Sequence, residues 1–438
     1  MKKTMRQVMP WAVAMALGGA ATGAAASGFQ LMEQNASGLG AAYAGSAAVA
    51  EDASTVFFNP AGISFLGGKH NAAVSLNAIK PSARFSGLAV ASAAPVGPAA
   101  AALNSFGTGG DAGDWAYLPA MYYTYSVTPS VTVGLGINSP FGLKTHYDVP
   151  WVGQLLGIES DLKTMAINPV VSFKGDDRFS IAVGFIAQKA EATLTSATSV
   201  ALNPTQAQVN GSDWGYGFNL GALWQVTREV RLGFNYRSQI KHTLEGNAYG
   251  VPLPTSIVPA EASVKLPALA TLSGTWDVAR DWKLMADVAW TGWNSFSTLQ
   301  VVNQATGLPI TTTPENWKDT WRFALGTAYQ LNKDIKLRAG VAYDQSPVPD
   351  LYRTPRIPDN DRTWLSVGAQ WMVGPGALDI GYAHVFVKDA PFCYTTLTAP
   401  GAPQQGPCGT VPAALQVQVQ GNYKNSVDII GVQYSVKF

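Results

Sequence analysis

Apolar and polar residues alternate along most of the chain, and this period of two predicts β-strands with one apolar and one polar face. Ile335 and Leu337, for example, lie on one face of such a segment, and the charged Lys336 lies on the other. Two further segments repeat the pattern, Val230–Arg237 and Asp281–Thr291. Because the polar faces carry full charges, they fit a water-filled lumen better than the dry core of a β-sandwich.

About fourteen segments of this kind can be counted after residue 69, and an even number is typical of bacterial outer-membrane barrels. They are centred near residues 75, 121, 135, 168, 184, 218, 234, 268, 287, 324, 339, 367, 382 and 431. The pattern therefore predicts an all-β fold, a transmembrane antiparallel β-barrel of about 14 strands that occupies residues 69–438.

The composition supports a barrel in a membrane. Charged residues make up 13% of the chain, about half of the roughly 25% that is usual in soluble proteins. Yet no segment after the N-terminus offers the roughly 20 continuous apolar residues that a membrane helix needs. A transmembrane barrel combines these properties because only alternate residues meet lipid. The net charge of +1 gives no reason to expect nucleic acid as a partner.

The first 26 residues have the pattern of a secretory signal peptide. A basic start is followed by the apolar stretch Val8–Leu17 and by small residues that end in Ala24–Ala26. The alternative, a transmembrane anchor, would need a longer apolar stretch. We therefore expect residues 1–26 to be removed and the mature chain to start at Ser27.

The last residues, Ile430–Phe438, alternate strictly and end on an aromatic side chain. Such a strand resembles the signal by which bacterial outer-membrane barrels are recognised for assembly. Together with the signal peptide, it predicts a place in the outer membrane of a Gram-negative bacterium. The expected partners are outer-membrane lipid, lipopolysaccharide and, during biogenesis, the barrel assembly machinery.

The two cysteines, Cys393 and Cys408, lie in a segment rich in Pro, Gly, Thr and Gln. An exported protein passes an oxidising compartment, so a disulfide that closes this loop is expected, with two free thiols as the alternative. A zinc site needs more ligands than two cysteines, and the four histidines are scattered, so no metal site is expected.

Residues 27–68 lack the alternation and are rich in Gly, Ala and Ser, which predicts a compact element packed against the rest of the chain. Several short segments here closely resemble the N-terminal hatch of the FadL family: Ser27–Leu31, Ser37–Gly40, Asp52–Ala53 and Asn59–Ala61. Later segments are similar to that family as well: Asp161–Met165, Trp317–Asp319, Ser346–Pro349 and Ile357–Arg362.

The resemblance implies a fourteen-stranded barrel with the hatch plugging its lumen. It also implies passive uptake of hydrophobic small molecules, either long-chain fatty acids or aromatic hydrocarbons, by a monomer without a cofactor. Each methylene moved into water costs about 0.8 kcal/mol, so a water-filled pore is a poor exit for such a solute. In the family the ligand leaves sideways into the bilayer, at a kinked third strand that the Asn-Pro-Ala segment of the hatch contacts. That segment is Asn59, Pro60 and Ala61 here.

The corresponding kink region here is Asn138–Lys144. Pro140 cannot donate a ladder hydrogen bond, and Gly142 permits unusual dihedral angles, so we expect the strand to be broken. Ser139 and Phe141 complete the predicted gating residues. The alternative is an ordinary strand end that enters a loop.

The choice between ligands depends on cations. An unpaired carboxylate in an apolar channel is costly, and the fatty-acid members of the family hold it with an Arg and a Lys. The corresponding positions here are Ser196 and Thr313, while Ser139 matches a hydroxyl of the same pocket. Lys189, or an Arg on a neighbouring strand, could substitute. The loss of both cations favours a neutral ligand and leaves fatty acid and hydrocarbon both open.

The predicted extracellular loop at residues 150–158 is unusually apolar. Its spacing would place Trp151 with Leu155, and Val152 with Leu156, on one helical face. These residues form either a surface groove that captures the ligand or a small core under the loop.

Three other functions are the alternatives to an uptake channel. A general diffusion porin would share the barrel but lack the plug-like segment 27–68. An outer-membrane enzyme would need a nucleophile with its base, yet the chain has no G-x-S-x-G motif and no motif around its histidines, so no enzyme is expected. A structural or adhesive barrel would need no ligand channel.

Overall fold

The computed structural model describes residues 28–251, 255–398, 402–410 and 416–438. The predicted signal peptide, residues 1–26, and the predicted first mature residue, Ser27, lie outside this part of the chain.

One antiparallel sheet contains the described strands. Their bounds are β1 His70–Ala91, β2 Ala116–Thr128, β3 Val131–Asn138, β4 Gly142–His146, β5 Glu159–Lys174, β6 Phe179–Ala197, β7 Gln206–Gln225, β8 Val230–Arg237, β9 Ile240–Tyr249, β10 Ile257–Leu266, β11 Leu269–Ala279, β12 Trp282–Thr291, β13 Thr298–Asn303, β14 Pro309–Pro314, β15 Thr320–Gln330, β16 Ile335–Asp344, β17 Arg362–Val373, β18 Gly376–Val387, β19 Ala390–Thr398, β20 Ala402–Pro407 and β21 Gln416–Lys437.

The helices among the described residues are short. The α-helices are α1 Thr55–Phe58 and α2 Gly97–Asn104, and 3-10 helices lie at Leu39–Ala41, Pro60–Phe65, Ala94–Val96, Trp293–Ser295 and Asp350–Tyr352. Among the described residues, no helix combines the length and the apolar character needed to cross a membrane.

The sheet closes on itself, because β1 pairs with β2 on one side and with β21 on the other. Six strands of the wall are divided in two by an interruption: β3 with β4, β8 with β9, β10 with β11, β12 with β13, β14 with β15, and β18 with β19. β20 is a short strand that pairs with β19. Without β20, the described strands form a closed barrel of 14 antiparallel strands. The predicted fold is confirmed. All predicted centres fall inside a strand except the one near residue 268, which falls between β10 and β11.

The two faces of the wall differ as the alternation predicts. On β15, Trp321, Phe323 and Leu325 are 46%, 47% and 64% exposed. Arg322 and Ala324, which alternate with them, are 5% and 3% exposed. The outer face therefore carries large apolar side chains suited to lipid, and the inner face is covered by other parts of the chain.

The N-terminal segment 28–68, which we call the hatch, provides that cover. Its helical residues Leu39–Ala41 and Thr55–Phe58 are all buried. Inner-wall glycines let its backbone lie directly on the strands: a Cβ at Gly340 would overlap the backbone of Ala41, and one at Gly233 would overlap that of Ala47. The lumen is thus filled by packed protein at this level.

The two ends of the barrel are distinct. Short turns join the strands at one end, at residues 175–178, 226–229 and 331–334. The other end carries longer segments, such as residues 92–115 and 345–361. Short turns are typical of the periplasmic end and long loops of the extracellular end, so we orient the barrel accordingly.

Candidate functional site

The third strand of the wall is interrupted within the region predicted to be kinked. β3 ends at Asn138 and β4 begins at Gly142, so Ser139, Pro140 and Phe141 lie between the two strands. Pro140 lacks the N–H that a continuous ladder would need. We call this interruption the wall gap.

The first described residues of the hatch occupy the wall gap. The Leu31 N–H donates to the Pro140 carbonyl at 2.9 Å, and the Gly142 N–H donates to the Phe29 carbonyl at 2.9 Å. Between these two bonds, Gln30 and the residue opposite, Phe141, form an isolated antiparallel bridge. The hatch thus completes the wall where the third strand does not.

The hydrogen bonds of the Asn-Pro-Ala segment join it to other strands of the wall. The Asn59 side chain donates to the Ala222 carbonyl on β7 at 2.9 Å. The Ala61 carbonyl accepts from the Ser180 hydroxyl on β6 at 2.8 Å. Asn59 also accepts from the Ala61 N–H at 3.1 Å and so caps the 3-10 helix that begins at Pro60. These bonds hold the segment against β6 and β7, and the contacts to the wall gap come from the start of the hatch.

A cavity beside the wall gap, which we call the lower cavity, spans about 430 Å³, including space that is open to solvent. Pro140 and Phe141 form part of its lining. Ser238 and Pro267, which lie at the interruptions between β8 and β9 and between β10 and β11, line it as well. The lower cavity therefore reaches the inner side of the wall gap.

A second cavity, which we call the upper cavity, lies toward the extracellular end and spans about 790 Å³, including space that is open to solvent. Most of its lining is apolar: Leu143, Leu162, Leu194, Leu244, Val264, Phe296, Leu299 and Val301. Three ionisable residues also contribute, Glu261, Glu315 and Arg356. Glu261 alternates with the buried Ala260 and Ala262 along β10, so its side chain faces away from the lumen. Glu315 and Arg356 remain as the ionisable side chains of the cavity.

An aromatic cluster, which we call the aromatic partition, lies where the two cavities meet. The ring of Phe29, from the hatch, is 6.1 Å from that of Phe141, 4.7 Å from that of Trp293 and 5.6 Å from that of Phe296. Trp317 packs 4.9 Å from Trp293. Phe29 and Phe296 line the upper cavity and Phe141 lines the lower one. Phe29 therefore belongs both to the partition and, through its carbonyl, to the hydrogen bonds across the wall gap.

Arg356 brings a positive charge to the upper cavity. Its guanidinium donates to the Glu159 carbonyl at 2.9 Å, to the Ser160 hydroxyl at 3.1 Å and to the Thr195 carbonyl at 3.1 Å. These acceptors are neutral, and no carboxylate of the described residues forms an ion pair with it. Burial lowers the pKa of Arg356 to about 10, so it stays protonated at neutral pH. Its charge is available to an anionic ligand.

Glu315 is the second ionisable side chain and is almost fully buried, at 3% exposure. It lies between β14, which is part of a polar extracellular hairpin, and β15. Burial raises the pKa of Glu315 to about 8, although the hydrogen bond from the Trp317 indole and the charge of Arg356 favour the carboxylate. At neutral pH the cavity therefore holds one positive charge and a neutral carboxyl group.

Comparison with known proteins decides the family. The family model of outer membrane protein transport proteins (OMPP1/FadL/TodX) matches residues 18–438. The chain belongs to this family. It is 30% identical over 429 residues to the long-chain fatty acid transport protein of Escherichia coli K12, covering 88% of this chain and 93% of that protein.

Solved structures of the same type share the fold. A Pseudomonas aeruginosa FadL homologue superposes with a TM-score of 0.81 at 25% identity, covering 94% of this chain and all of that one. The Ralstonia pickettii toluene transporter TbuX gives 0.64 at 15% identity, with 93% and 100% covered. As a member of the OMPP1/FadL/TodX family, the chain is a β-barrel of the Gram-negative outer membrane and a transport protein by family.

The positions predicted to replace the cations of the fatty-acid members do not bring a cation to the upper cavity. Ser196 lies on β6 opposite Ala207, and Thr313 lies on β14 opposite Leu299, which lines the upper cavity. Lys189 does not substitute for them: it shares the outward face of β6 with Phe185 and pairs with Glu191. The positively charged side chain that lines the upper cavity is that of Arg356, from the loop between β16 and β17.

The apolar loop matches the interpretation of a small core. Trp151, Val152, Leu155 and Leu156 are at most 5% exposed, and they pack with Phe85 and other aromatic residues of the extracellular end. The loop forms turns and not a helix, and the Trp151 indole donates to the Gly157 carbonyl at 3.0 Å. The surface capture groove is therefore a wrong interpretation of these four residues.

The two cysteines are joined to each other. Cys393 and Cys408 form a disulfide, with their Cα atoms 5.6 Å apart. Within the described ranges, no group of three or more His, Cys, Asp and Glu residues is arranged to hold a metal ion.

Proposed function

We propose that this chain is a passive outer-membrane uptake channel for amphipathic hydrophobic acids, of which long-chain fatty acids are the prime candidates. The observation that carries the proposal is a guanidinium, Arg356, that lines a large apolar cavity without a carboxylate partner among the described residues. A neutral hydrocarbon would leave this buried charge uncompensated, whereas a carboxylate would pair with it. The name of the E. coli relative agrees with this choice.

The rest of the cavity suits an alkyl chain. Each methylene transferred from water to apolar surroundings contributes about 0.8 kcal/mol, and aliphatic side chains from seven wall strands supply that surface. The charged head at Arg356 fixes one end of the ligand, and the chain can adopt many conformations against the wall. Such a site selects for a carboxylate and tolerates different chain lengths.

The proposed route runs from the extracellular loops to the bilayer. The ligand occupies the upper cavity first. Withdrawal of Phe29, Gln30 and Leu31 then opens the aromatic partition and the wall gap, and the ligand leaves sideways past Pro140 and Phe141. Support comes from the bonds that place the hatch in the gap, because the two backbone bonds and the two bonds between the Gln34 amide and the Ser139 backbone can each be exchanged for bonds to water.

The remaining predicted features are part of the same proposal. We propose a signal peptide of residues 1–26, a hatch of residues 27–68 and a barrel of residues 69–438 that acts as a monomer. Ser139 lies in the wall gap and Gly142 at its edge, and Asn59, Pro60 and Ala61 anchor the hatch to the wall during its movement. Lipopolysaccharide surrounds the barrel, and the barrel assembly machinery inserts it. The filled lumen argues against a general diffusion porin.

Uptake of radiolabelled oleate tests the proposal. Cells that lack their own fatty-acid transporter are expected to take up oleate about tenfold faster with this chain than with an empty vector. Unlabelled oleate should compete at equal concentration, and toluene should not. Accelerated uptake of toluene without any gain for oleate would show that the channel serves neutral hydrocarbons.

The affinity for oleate is expected to fall as the pH rises above 8. Glu315 then loses its proton, and its new negative charge compensates Arg356 in place of the ligand. A tenfold loss between pH 7 and pH 9 corresponds to about 1.4 kcal/mol. Titrations of purified protein in nanodiscs would measure it, with Glu315→Gln as the control that should keep a constant affinity over this range. The same pH dependence in both proteins would exclude Glu315 as its cause.

A further inference from the structure

Arg237, like Arg356, lines a cavity and forms no ion pair with a described carboxylate, whereas other arginines of the lumen are paired. Arg338 pairs with Glu51 at 2.7 Å and with Asp379 at 2.6 Å, and Arg362 pairs with Asp359. Arg237, at the end of β8, forms no ion pair with any carboxylate in the described ranges. It is 7% exposed and belongs to the lining of the lower cavity.

The contacts of Arg237 leave much of its hydrogen-bonding capacity unused. One terminal nitrogen donates to the Phe57 carbonyl at 3.4 Å and to the Asn168 side chain at 3.3 Å, both long bonds. The guanidinium also lies over the ring of Phe57, 4.4 Å from its centre. A buried guanidinium has five N–H donors and is costly to leave without an anion. The lower cavity is the space from which an anion can reach it.

A second polar side chain of the lower cavity also lacks a partner. Gln188, on β6, is fully buried, and its amide nitrogen makes no hydrogen bond in the structure. Its amide oxygen lies 3.2 Å from the Nε2 atom of His242. The free amide N–H group and the guanidinium of Arg237 belong to one lining, and both are donors suited to carboxylate oxygens.

The remaining lining is apolar and continues to the wall gap. It includes Ile186, Ile240, Leu266, Leu269 and Phe141. A site with donors and an aliphatic surface suits a carboxylate that carries an alkyl chain better than it suits a small inorganic anion, which would leave the aliphatic surface without a ligand.

We propose that the lower cavity is a second ligand-binding site, in which Arg237 and Gln188 hold the carboxylate of the same hydrophobic acid beside the wall gap. The proposal rests on the proposed function. The acid passes from Arg356 to Arg237 when the aromatic partition opens, so its charge is paired before and after the passage. Its alkyl chain then lies next to Phe141, at the exit into the bilayer.

Crystals of the full chain soaked with 2-bromohexadecanoate test this, because the bromine marks the carbon next to the carboxylate. Wild-type protein is expected to show two anomalous bromine peaks, one beside Arg356 and one beside Arg237. Arg237→Gln should lose the lower peak and keep the upper one, and Arg237→Lys should keep both. A lower peak that persists in Arg237→Gln, or that is missing from wild type while the upper site is filled, overturns the second site alone. The absence of both peaks from wild type would instead contradict the proposed function.

Binding in nanodiscs supplies the solution measurement. Two oleate molecules per chain are expected for wild type, and Arg237→Gln should weaken the second about tenfold. Arg231→Gln is the matched control, since Arg231 lies on the same strand and also donates to the hatch, to the Val49 carbonyl at 3.1 Å, without lining the lower cavity. It should keep both sites. If Arg231→Gln weakens the second site equally, Arg237 acts by holding the hatch and not by binding the carboxylate. Oleyl alcohol, which lacks the charge, should bind wild type and Arg237→Gln alike.

Discussion

Replacement of Arg356 by glutamine is expected to weaken the binding of oleate tenfold to a hundredfold. A hydrogen bond to a charged group contributes about 1.5–3 kcal/mol, and each 1.4 kcal/mol is a factor of about ten in affinity. Glutamine is polar and can still donate to some of the acceptors of Arg356, but it is neutral and cannot compensate the negative charge of a carboxylate. Equilibrium titration of purified Arg356→Gln in nanodiscs at pH 7 would measure the loss.

Two controls separate a lost charge from a disturbed loop. Arg356 ties the extracellular loop to β5 and β6 through Ser160 and the Glu159 and Thr195 carbonyls, so its removal could also shift the wall of the cavity. Arg356→Lys, which keeps the charge, should retain most of the affinity. Oleyl alcohol should bind Arg356→Gln and wild type within a factor of two. An equal loss for the acid and the alcohol would show that Arg356 shapes the cavity and does not recognise the carboxylate.

The barrel could be predicted from the sequence because the alternation of inward-facing and outward-facing residues is a local pattern. On β16, Leu337 and Val341 face lipid while Arg338 and Gly340 face the hatch, and each residue needs only its neighbours two positions away to show this. The wall gap was predictable only in part: Pro140 cannot donate a ladder hydrogen bond, yet Pro81 and Pro119 lie within the continuous strands β1 and β2. A period of two requires no knowledge of the tertiary fold.

The site could be predicted only in part because it is assembled from distant segments. Arg356 and Glu315 come from different loops, and nothing in the spacing of either loop shows that they share a cavity. The sequence directed attention to Ser196 and Thr313, where the cations of relatives are absent, and Arg356 lies just before the motif Ile357–Arg362 that carries the resemblance. A basic residue beside a shared motif was the available signal.

Two other interpretations were wrong because the type of a side chain alone does not show which way it points. The apolar side chains around Trp151 could have faced a ligand or a core, and the burial of Tyr147 and Phe85 beside them decides for the core. Lys189 has the right charge for a carboxylate, but its position on β6 puts it on the outer face. The first outcome depends on the closed barrel, whereas the second follows from the alternation along β6, which places Lys189 on the same face as Phe185.

A disulfide across the wall gap is expected to stop uptake without preventing binding. Gln30 and Phe141 are bridge partners bracketed by the Leu31 and Gly142 hydrogen bonds. Such non-hydrogen-bonded pairs have Cα atoms about 4.5 Å apart, which lies within the range that disulfides span. The described cysteines are already bonded to each other, so Gln30→Cys/Phe141→Cys adds one new pair.

A second cysteine pair provides the matched control. The hydroxyl oxygens of Ser64 and Ser172 are 2.7 Å apart and join the hatch to β5 away from the wall gap. Oxidised Ser64→Cys/Ser172→Cys should therefore transport oleate at the wild-type rate if only the start of the hatch moves. Wild-type protein carried through the same oxidation and reduction controls for the disulfide between Cys393 and Cys408.

The most direct measurement is the rate of oleate uptake by cells carrying Gln30→Cys/Phe141→Cys, before and after reduction. We expect less than a tenth of the reduced rate while the disulfide is intact, full recovery on reduction, and unchanged oleate binding to the upper cavity in both states. If the oxidised protein, with the cross-link verified by mass spectrometry, transports oleate as fast as the reduced protein, the ligand does not leave through the wall gap.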